Sequence, residues 1–279
     1  MSFNHSQVRL IALDLDGTLM EDDHLTISER NCRAIRAVAA QGVQVVLASG
    51  RARSMMEDVA ETLGCVHWMI TSNGAVVVDR GNGAVLRRAE IPADRGAQVL
   101  CLFLKYPLPI EVYCGGHVYV KRGSWSMKGY TKQPPAFLQM RKTLNREVDD
   151  LSKELAGRAV EKFNVDGIDV DSRDEILTGI SGMSDLTYTY VSAYDNLEIN
   201  HCHATKGEAL RGLCKVLRIP QQAVMAFGDS SNDVQMLCWA GWPFAMGNAA
   251  PEARQAARFR TGTNTQSGVA QVLETCFLS

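Results

Sequence analysis

With 279 residues, 46% of them hydrophobic, the chain has enough apolar material for one large domain or two modest ones. Its 29 basic and 31 acidic residues leave a net charge of −2, which excludes the basic footprint of a nucleic-acid binder, and no apolar segment approaches the ~18 residues of a membrane span. The eight cysteines are scattered without a CxxC pair and read as free buried thiols of a reducing cytoplasm, while the first apolar run, interrupted by Asp14 and Asp16, does not read as a signal peptide.

Val8 to Leu13 is apolar except for Arg9, which predicts a strand buried on both faces, and it runs straight into Asp14-Leu15-Asp16-Gly17-Thr18. Thr26 and Glu29 have capping-box spacing and predict a helix to about Ala40, stopped by Gly42. Val43 to Ala48 is a second strand ending in Ser49-Gly50-Arg51. A second helix carries Met55, Met56, Val59, Ala60 and Leu63 and stops at Gly64. Val66 to Thr71 is a third strand, ending in Ser72-Asn73-Gly74, so the first 75 residues read as a right-handed parallel unit.

The alternation then changes. Ala75 to Asp79 and Ala84 to Ile91 flank Gly81-Asn82-Gly83, a hairpin signal. A helix is expected over Pro92 to Tyr106, and short strands over Ile110 to Tyr113 and His117 to Lys121. Ser124 to Pro135 reads as irregular, Asn145 to Ala156 as helix and Val160 to Val165 as strand. A helix is expected from Ser172 and a strand over Leu186 to Ala193. These signals predict an α+β module over residues 83–192, inserted in a core formed by residues 1–82 and 193–279. The parallel pattern returns with a helix over Thr205 to Leu217, whose Thr205 and Glu208 form a second capping box. Ala223 to Phe227 is a strand ending in Gly228-Asp229-Ser230-Ser231-Asn232-Asp233. A helix, a short strand over Trp242 to Met246, and helices at Pro251 to Ala257 and Gly268 to Phe277 follow. The fold class is α/β.

Ligands of open parallel sheets bind beyond the carboxyl ends of the strands. Asp14 and Asp16, Ser49, Asn73 and Asp229 all lie at such ends and are expected to converge. Three neighbouring carboxylates repel and raise one another's pKa, and a hard divalent cation offsets this; Mg²⁺ suits a few carboxylates plus phosphate oxygens. Lys206 falls in the first turn of its helix, where the dipole disfavours a cation by up to ~1 kcal/mol; it reads as a solvated surface lysine or as a phosphate-binding group, and the carboxylate edge favours the latter. Asp233 reads either as an N-terminal helix stabiliser or as a metal ligand. Ser49 reads either as an N-cap or as a phosphate-binding hydroxyl. His201-Cys202-His203 lacks a Cys or acid at zinc spacing and reads as a loop, and Trp125, Lys128 and Tyr130 read as a lid or as surface packing.

Asp14-Leu15-Asp16-Gly17-Thr18, Ser49-Gly50-Arg51, Lys206-Gly207 and Gly228-Asp229-Ser230-Ser231-Asn232-Asp233 resemble, in order, the four motifs of the haloacid-dehalogenase-like (HAD) hydrolases. Ser72-Asn73-Gly74-Ala75, Met246-Gly247-Asn248-Ala249, and Asn264 followed by Gly268-Val269 are similar to the Cof-type phosphatases of subclass IIB. The resemblance implies a Rossmann-like core (the HAD fold) with an inserted α+β cap of type C2B, and phosphoryl transfer through an aspartyl-phosphate. It implies Asp14 as nucleophile and Asp16 as general acid and base, with Ser49 and Lys206 holding phosphoryl oxygens. Gly50, Asn73, Gly74 and Asn232 would support or contact the phosphate. Mg²⁺ would be held by Asp14, the Asp16 carbonyl and Asp229, with Asp233 assisting.

The expected function is Mg²⁺-dependent hydrolysis of small phosphomonoesters, such as sugar phosphates or phosphorylated cofactors. The partner is a small phosphate ester, with no nucleic acid or membrane, and the location is cytoplasmic. Ser49 departs from the threonine common in Cof-type members but supplies the same hydroxyl. A phosphomutase of the phosphomannomutase type is the nearest alternative; it needs a second phosphate site in the cap, for which Lys121, Arg122 and Lys128 are the best cluster. A non-catalytic phospholigand-binding regulator is the other, and it would not require Asp16.

Overall fold

The computed structural model describes residues 7–127, 129–130, 134–191 and 195–278. The chain forms two compact units: Met1–Arg51, Met56–Arg88 and Thr205–Ser279 make the first, and Ala52–Met55 with Ala89–Ala204 the second.

The first unit opens with β1 (Leu10–Leu13), buried at every residue, then α1 (Glu29–Ala39), β2 (Gln44–Ala48), α2 (Glu57–Leu63), β3 (Val66–Thr71), β4 (Val76–Asp79) and β5 (Val85–Arg88). The cap of α1 is Ser28, whose side chain accepts from the Asn31 N–H, and not the expected Thr26. Thr26 instead donates its hydroxyl to Asp23, closing the preceding turn. Residues Arg53–Met55 form a 3₁₀ turn, so α2 begins after Met55 and Met56.

The second unit supplies α3 (Ala93–Phe103), β6 (Ile110–Cys114), β7 (His117–Lys121), α4 (Pro135–Leu144), β8 (Arg146–Val148), α5 (Leu151–Glu154), β9 (Lys162–Val165), α6 (Val170–Ile180), β10 (Leu186–Val191) and β11 (Asn196–His201). Its sheet runs β10-β11-β9-β6-β7-β8. One face, with Val112, Phe163, Val165, Leu197 and Ile199, packs with Val99, Phe103 and Ile176 of α3 and α6. Buried Glu111 and Asn164 hydrogen-bond each other between neighbouring β6 and β9, and Arg141 of α4 reaches Glu111 at 2.6 Å and Asp166 at 3.1 Å.

Several expectations fail in this unit. Asn145 to Ala156 is not one helix: Arg146–Val148 pairs in parallel with β7, and Asp150 then caps the short α5. Helix α6 starts at Val170, capped by Asp169, rather than at Ser172, whose N–H donates to that cap. The segment after Ser124–Ser126 holds α4, for which no element was expected. Tyr130 is buried, its ring 4.7 Å from Trp125. Arg122 pairs with Asp149, and Lys128 lies outside the described residues.

The chain returns to the first unit with α7 (Lys206–Leu217), β12 (Val224–Gly228), α8 (Val234–Trp239), β13 (Trp242–Ala245), α9 (Pro251–Ala256), β14 (Phe259–Arg260) and α10 (Gly268–Leu273). Among the described residues its sheet has eight strands in the order β14-β13-β12-β1-β2-β3-β4-β5. All are parallel as far as β3, and β4 and β5 are antiparallel. The tips of β12, β1, β2 and β3 therefore share one edge.

The hairpin β4–β5 extends this sheet to Arg88, and β11 pairs in the second sheet to His201, so the units divide at 88/89 and 204/205 rather than at 82/83 and 192/193. The residues around 193 lie outside the described ones. All eight cysteines are free thiols, but Cys101 and Cys238 are exposed, against the expectation of buried ones. No helix of the described residues is long and apolar enough to cross a membrane.

Candidate active site

At the end of β1 the chain enters a tight turn over Leu15–Leu19 in which Gly17 adopts φ +82°. A Cβ at Gly17 would lie 2.4 Å from Asp229 Oδ2, so only glycine lets the first loop approach the tip of β12. The Thr18 hydroxyl donates to Asp229 Oδ1 at 2.9 Å. Lys206 is the first residue of α7, whose cap Thr205 accepts from the Glu208 N–H. Its side chain is 1% exposed, and Nζ donates to Asp14 Oδ1 at 2.6 Å and to Asp233 Oδ1 at 2.7 Å. The other Asp233 oxygen accepts from the N–H groups of Asp229 and Ser230 at 2.9 and 3.1 Å, which fixes the loop after β12. Asp233 is thus the helix stabiliser and a lysine partner at once.

The loop after β3 lies against the start of α7. At Gly74, φ is +103° and a Cβ would be 2.3 Å from the Thr205 carbonyl oxygen. Arg87 of β5 donates to the Gly74 carbonyl at 2.8 Å and to Glu208 at 3.2 Å. Asn73 accepts from Asn232 Nδ2 at 3.0 Å, and its N–H donates to the Ser49 carbonyl at 3.0 Å. The Ser49 hydroxyl, buried, accepts from the Arg51 N–H at 3.2 Å, with Gly50 between them and partly exposed.

Asp14, Asp229 and Asp233 offer carboxylate oxygens that all lie within 4.8 Å of one another. The carboxylate of Asp16 is held elsewhere. It takes Arg51 Nε at 2.8 Å and Nη2 at 2.5 Å, and His24 Nδ1 stands 2.8 Å from its Oδ1. Arg51 lay within a motif without a role, and nothing in the sequence pointed to His24. Asn248, at the tip of β13, donates to the Gly17 carbonyl at 2.7 Å, and Asn264 donates to the Met20 carbonyl at 3.1 Å, so both fasten the loop that carries Asp16. The rule that picked the other strand ends would have found Asn248. His201 ends β11 and accepts from the His203 N–H; no cluster of potential metal ligands includes either histidine among the described residues.

The electrostatics follow from this packing. Burial, then Asp233 and Asp229, push the Asp14 carboxyl well up against the opposing pull of Lys206. Asp229 is pushed up to about 6, by burial first and Asp233 second. Burial works against the Lys206 charge, yet Asp14 and Asp233 outweigh it and raise its pKa. Burial also works to raise Asp16, but the Arg51 charge and the His24 hydrogen bond hold it well below the usual carboxylate range.

Three carboxylates against one ammonium leave the pocket short of positive charge, and the buried Oδ2 of Asp14 has no hydrogen-bond partner. Hard oxygen donors, one of them unpartnered, fit a divalent cation.

The sequence matches the haloacid dehalogenase-like hydrolase family over residues 11–273. The chain belongs to that family. It is 31% identical to the phosphatase YwpJ of Bacillus subtilis, covering 96% of this chain and 99% of that one. It is 30% identical to the 5-amino-6-(5-phospho-D-ribitylamino)uracil phosphatase YcsE of the same organism, covering 95% and 94%. A solved haloacid dehalogenase-like hydrolase from Bacteroides thetaiotaomicron superposes with a TM-score of 0.84 at 26% identity, over 97% of this chain and 100% of that one. The α/β core with its inserted α+β unit is the fold of these HAD-like hydrolases.

Proposed function

We propose that this protein is a Mg²⁺-dependent phosphatase of small phosphate monoesters that works through an aspartyl-phosphate on Asp14. The observation that carries the reading is the state of Asp14: one carboxylate oxygen is bound to Lys206 and the other is buried without a partner. Asp14, Asp229 and the Asp16 carbonyl would hold the cation. Asp233, with Lys206 on one oxygen and two backbone N–H groups on the other, acts by fixing them in place. When bound, the cation supplies the charge that lets Asp14 stay ionised and admits a phosphoryl dianion.

In the first step an Asp14 carboxylate oxygen attacks phosphorus, the bond to the ester oxygen breaks, and Asp16 gives its proton to the departing alcohol. In the second, Asp16 takes a proton from water as that water attacks phosphorus. The bond to Asp14 breaks, releasing inorganic phosphate and restoring both groups. Arg51 keeps resting Asp16 ionised, and an arriving phosphoryl dianion shifts it towards the protonated form needed to begin. Lys206 and the Ser49 hydroxyl bind the phosphoryl oxygens and offset charge in the transition state. Gly50, Asn73, Gly74 and Asn232 shape the loops that receive the phosphate. The relative named for a phosphoribitylamino compound favours sugar-like phosphates as the substrate class, and the eight free thiols suit a cytoplasmic enzyme.

A screen of phosphorylated metabolites for phosphate release tests this reading. Turnover with Mg²⁺, its loss in EDTA and its return on adding Mg²⁺ are expected; turnover unaffected by chelation would refute the cation's role.

A further inference from the structure

Arg51 is fastened at both its backbone and its side chain. Its N–H donates to Ser49 Oγ at 3.2 Å, and its carbonyl accepts from the Ser72 N–H at 2.8 Å. Its guanidinium, 5% exposed, forks onto both oxygens of Asp16, and Nη2 also donates to the His24 carbonyl at 2.6 Å. Such a bidentate pair fixes a carboxylate in direction as well as in place.

His24 closes the other side of this arrangement. Its ring nitrogen meets Asp16 Oδ1, while its backbone sits in the left-handed region at φ 59°. The turn holding it there is tied by several hydrogen bonds. The His24 N–H donates to the Glu21 carbonyl at 3.0 Å, the Glu21 N–H donates to the Thr26 carbonyl at 2.9 Å, and Asp23 accepts from the N–H groups of Leu25 and Thr26 at 2.8 and 2.9 Å. A non-glycine residue kept in this conformation by so many bonds points to a functional constraint. The loops after β1, β2 and β3 thus meet on one residue, the first at the Arg51 guanidinium and the third at its backbone carbonyl.

We propose that Arg51 and His24 are positioning residues for the reaction, which orient the carboxylate of Asp16 through the Arg51 fork and the His24 ring. The proposal rests on the reading of Asp16 as acid and base given above. Aspartate left unheld turns freely about its side-chain bonds, and misplacement of a reacting group by about 1 Å costs on the order of a hundred-fold in rate. Lysine could supply charge in place of Arg51 but not the planar fork.

The test compares two substrates, 4-nitrophenyl phosphate, whose leaving group departs without a proton, and a simple alkyl phosphate, whose leaving group needs one. Asp16→Asn serves as the reference for a lost acid. Arg51→Met is expected to lower kcat for the alkyl ester about ten-fold more than for the aryl ester, with KM for both little changed. Arg51→Lys should recover part of that difference, and His24→Gln should show the same bias more weakly. Equal losses on the two esters, or a rise in KM alone, would overturn the proposal and leave the phosphatase reading standing. Crystal structures of Arg51→Lys and His24→Gln provide a readout that needs no turnover: the Asp16 carboxylate should be displaced or split between rotamers. A carboxylate unmoved in both variants would also overturn it. Wild-type protein inactive on every ester, with Asp16 displaced as expected, would instead refute the phosphatase reading.

Discussion

Asp14 and Lys206 are 192 residues apart in the chain and 2.6 Å apart in the protein. A lysine this deeply buried is tolerated because two carboxylates share it, and they in turn depend on it. Replacing it as Lys206→Met is expected to abolish turnover and, in EDTA, to cost about 3–5 kcal/mol in a urea titration, because Asp14 and Asp233 lose their counter-charge. A variant as stable as the parent would show that these acids are not ionised together. Asp16→Asn should lower kcat on an alkyl phosphate by about 10²–10⁴-fold, the usual range for a lost proton donor, with folding intact; steady-state kinetics beside a melting curve check both. Asp14, Lys206 and Asp229 were legible in the sequence because each stands at the tip of a strand or the first turn of a helix. The partners of Asp16 were not, since Arg51 and His24 meet it only through a turn and a strained loop that leave no periodic signal.

At the scale of elements, two glycines of positive φ separate a close approach from a backbone preference alone. Gly74 packs against the Thr205 backbone, which has little freedom to give, whereas Gly42 has a similar positive φ of +89° but nothing within 4 Å of a Cβ. Gly42→Ala should therefore lose only the backbone cost of about 1 kcal/mol or slightly more, and Gly74→Ala should lose distinctly more and also weaken activity. Denaturant titrations of the two variants decide the point, and equal losses would mean that the contact at Thr205 relaxes freely. The parallel strands were readable because β1, β2 and β12 are nearly continuous apolar runs. Strand β11 was missed although Leu197 and Ile199 alternate with Glu198 and Asn200 as in a half-buried strand, a six-residue signal lying directly before the His201-Cys202-His203 loop; its polar face pairs with groups inside the sheet, as Glu198 does with Lys162. Helix α4 does carry a stripe at helical spacing, Phe137, Met140 and Leu144, but it is short, only partly buried and interrupted by Arg141, so the signal is weak.

For the whole molecule, the acid cluster gives stability an unusual dependence on pH. The folded Asp229 carboxyl titrates at about 6 against 3.8 for the free group, so the folded state binds its proton more tightly. Its stabilising contribution is full below the unfolded value and is lost as pH rises through about 6; Asp14 shifts in the same direction. Asp16, held low, titrates below this window. In EDTA the melting temperature should therefore fall between about pH 4 and pH 6, and Mg²⁺ should restore it most at the upper end. A melting temperature that rises over that range in EDTA would contradict the raised values. The insertion of a second unit was visible where the parallel pattern gave way to hairpins. Its limits were not, because β4–β5 continues the first sheet while β11 closes the second.

The most direct measurement is rapid acid quench of the protein turning over a phosphate monoester with Mg²⁺, followed by mass spectrometry of its peptides. One phosphoryl group on the peptide containing Asp14, absent from Asp14→Asn, is the predicted result. Rapid turnover with no phosphoryl group on that peptide, or with the group on another residue, would contradict the account.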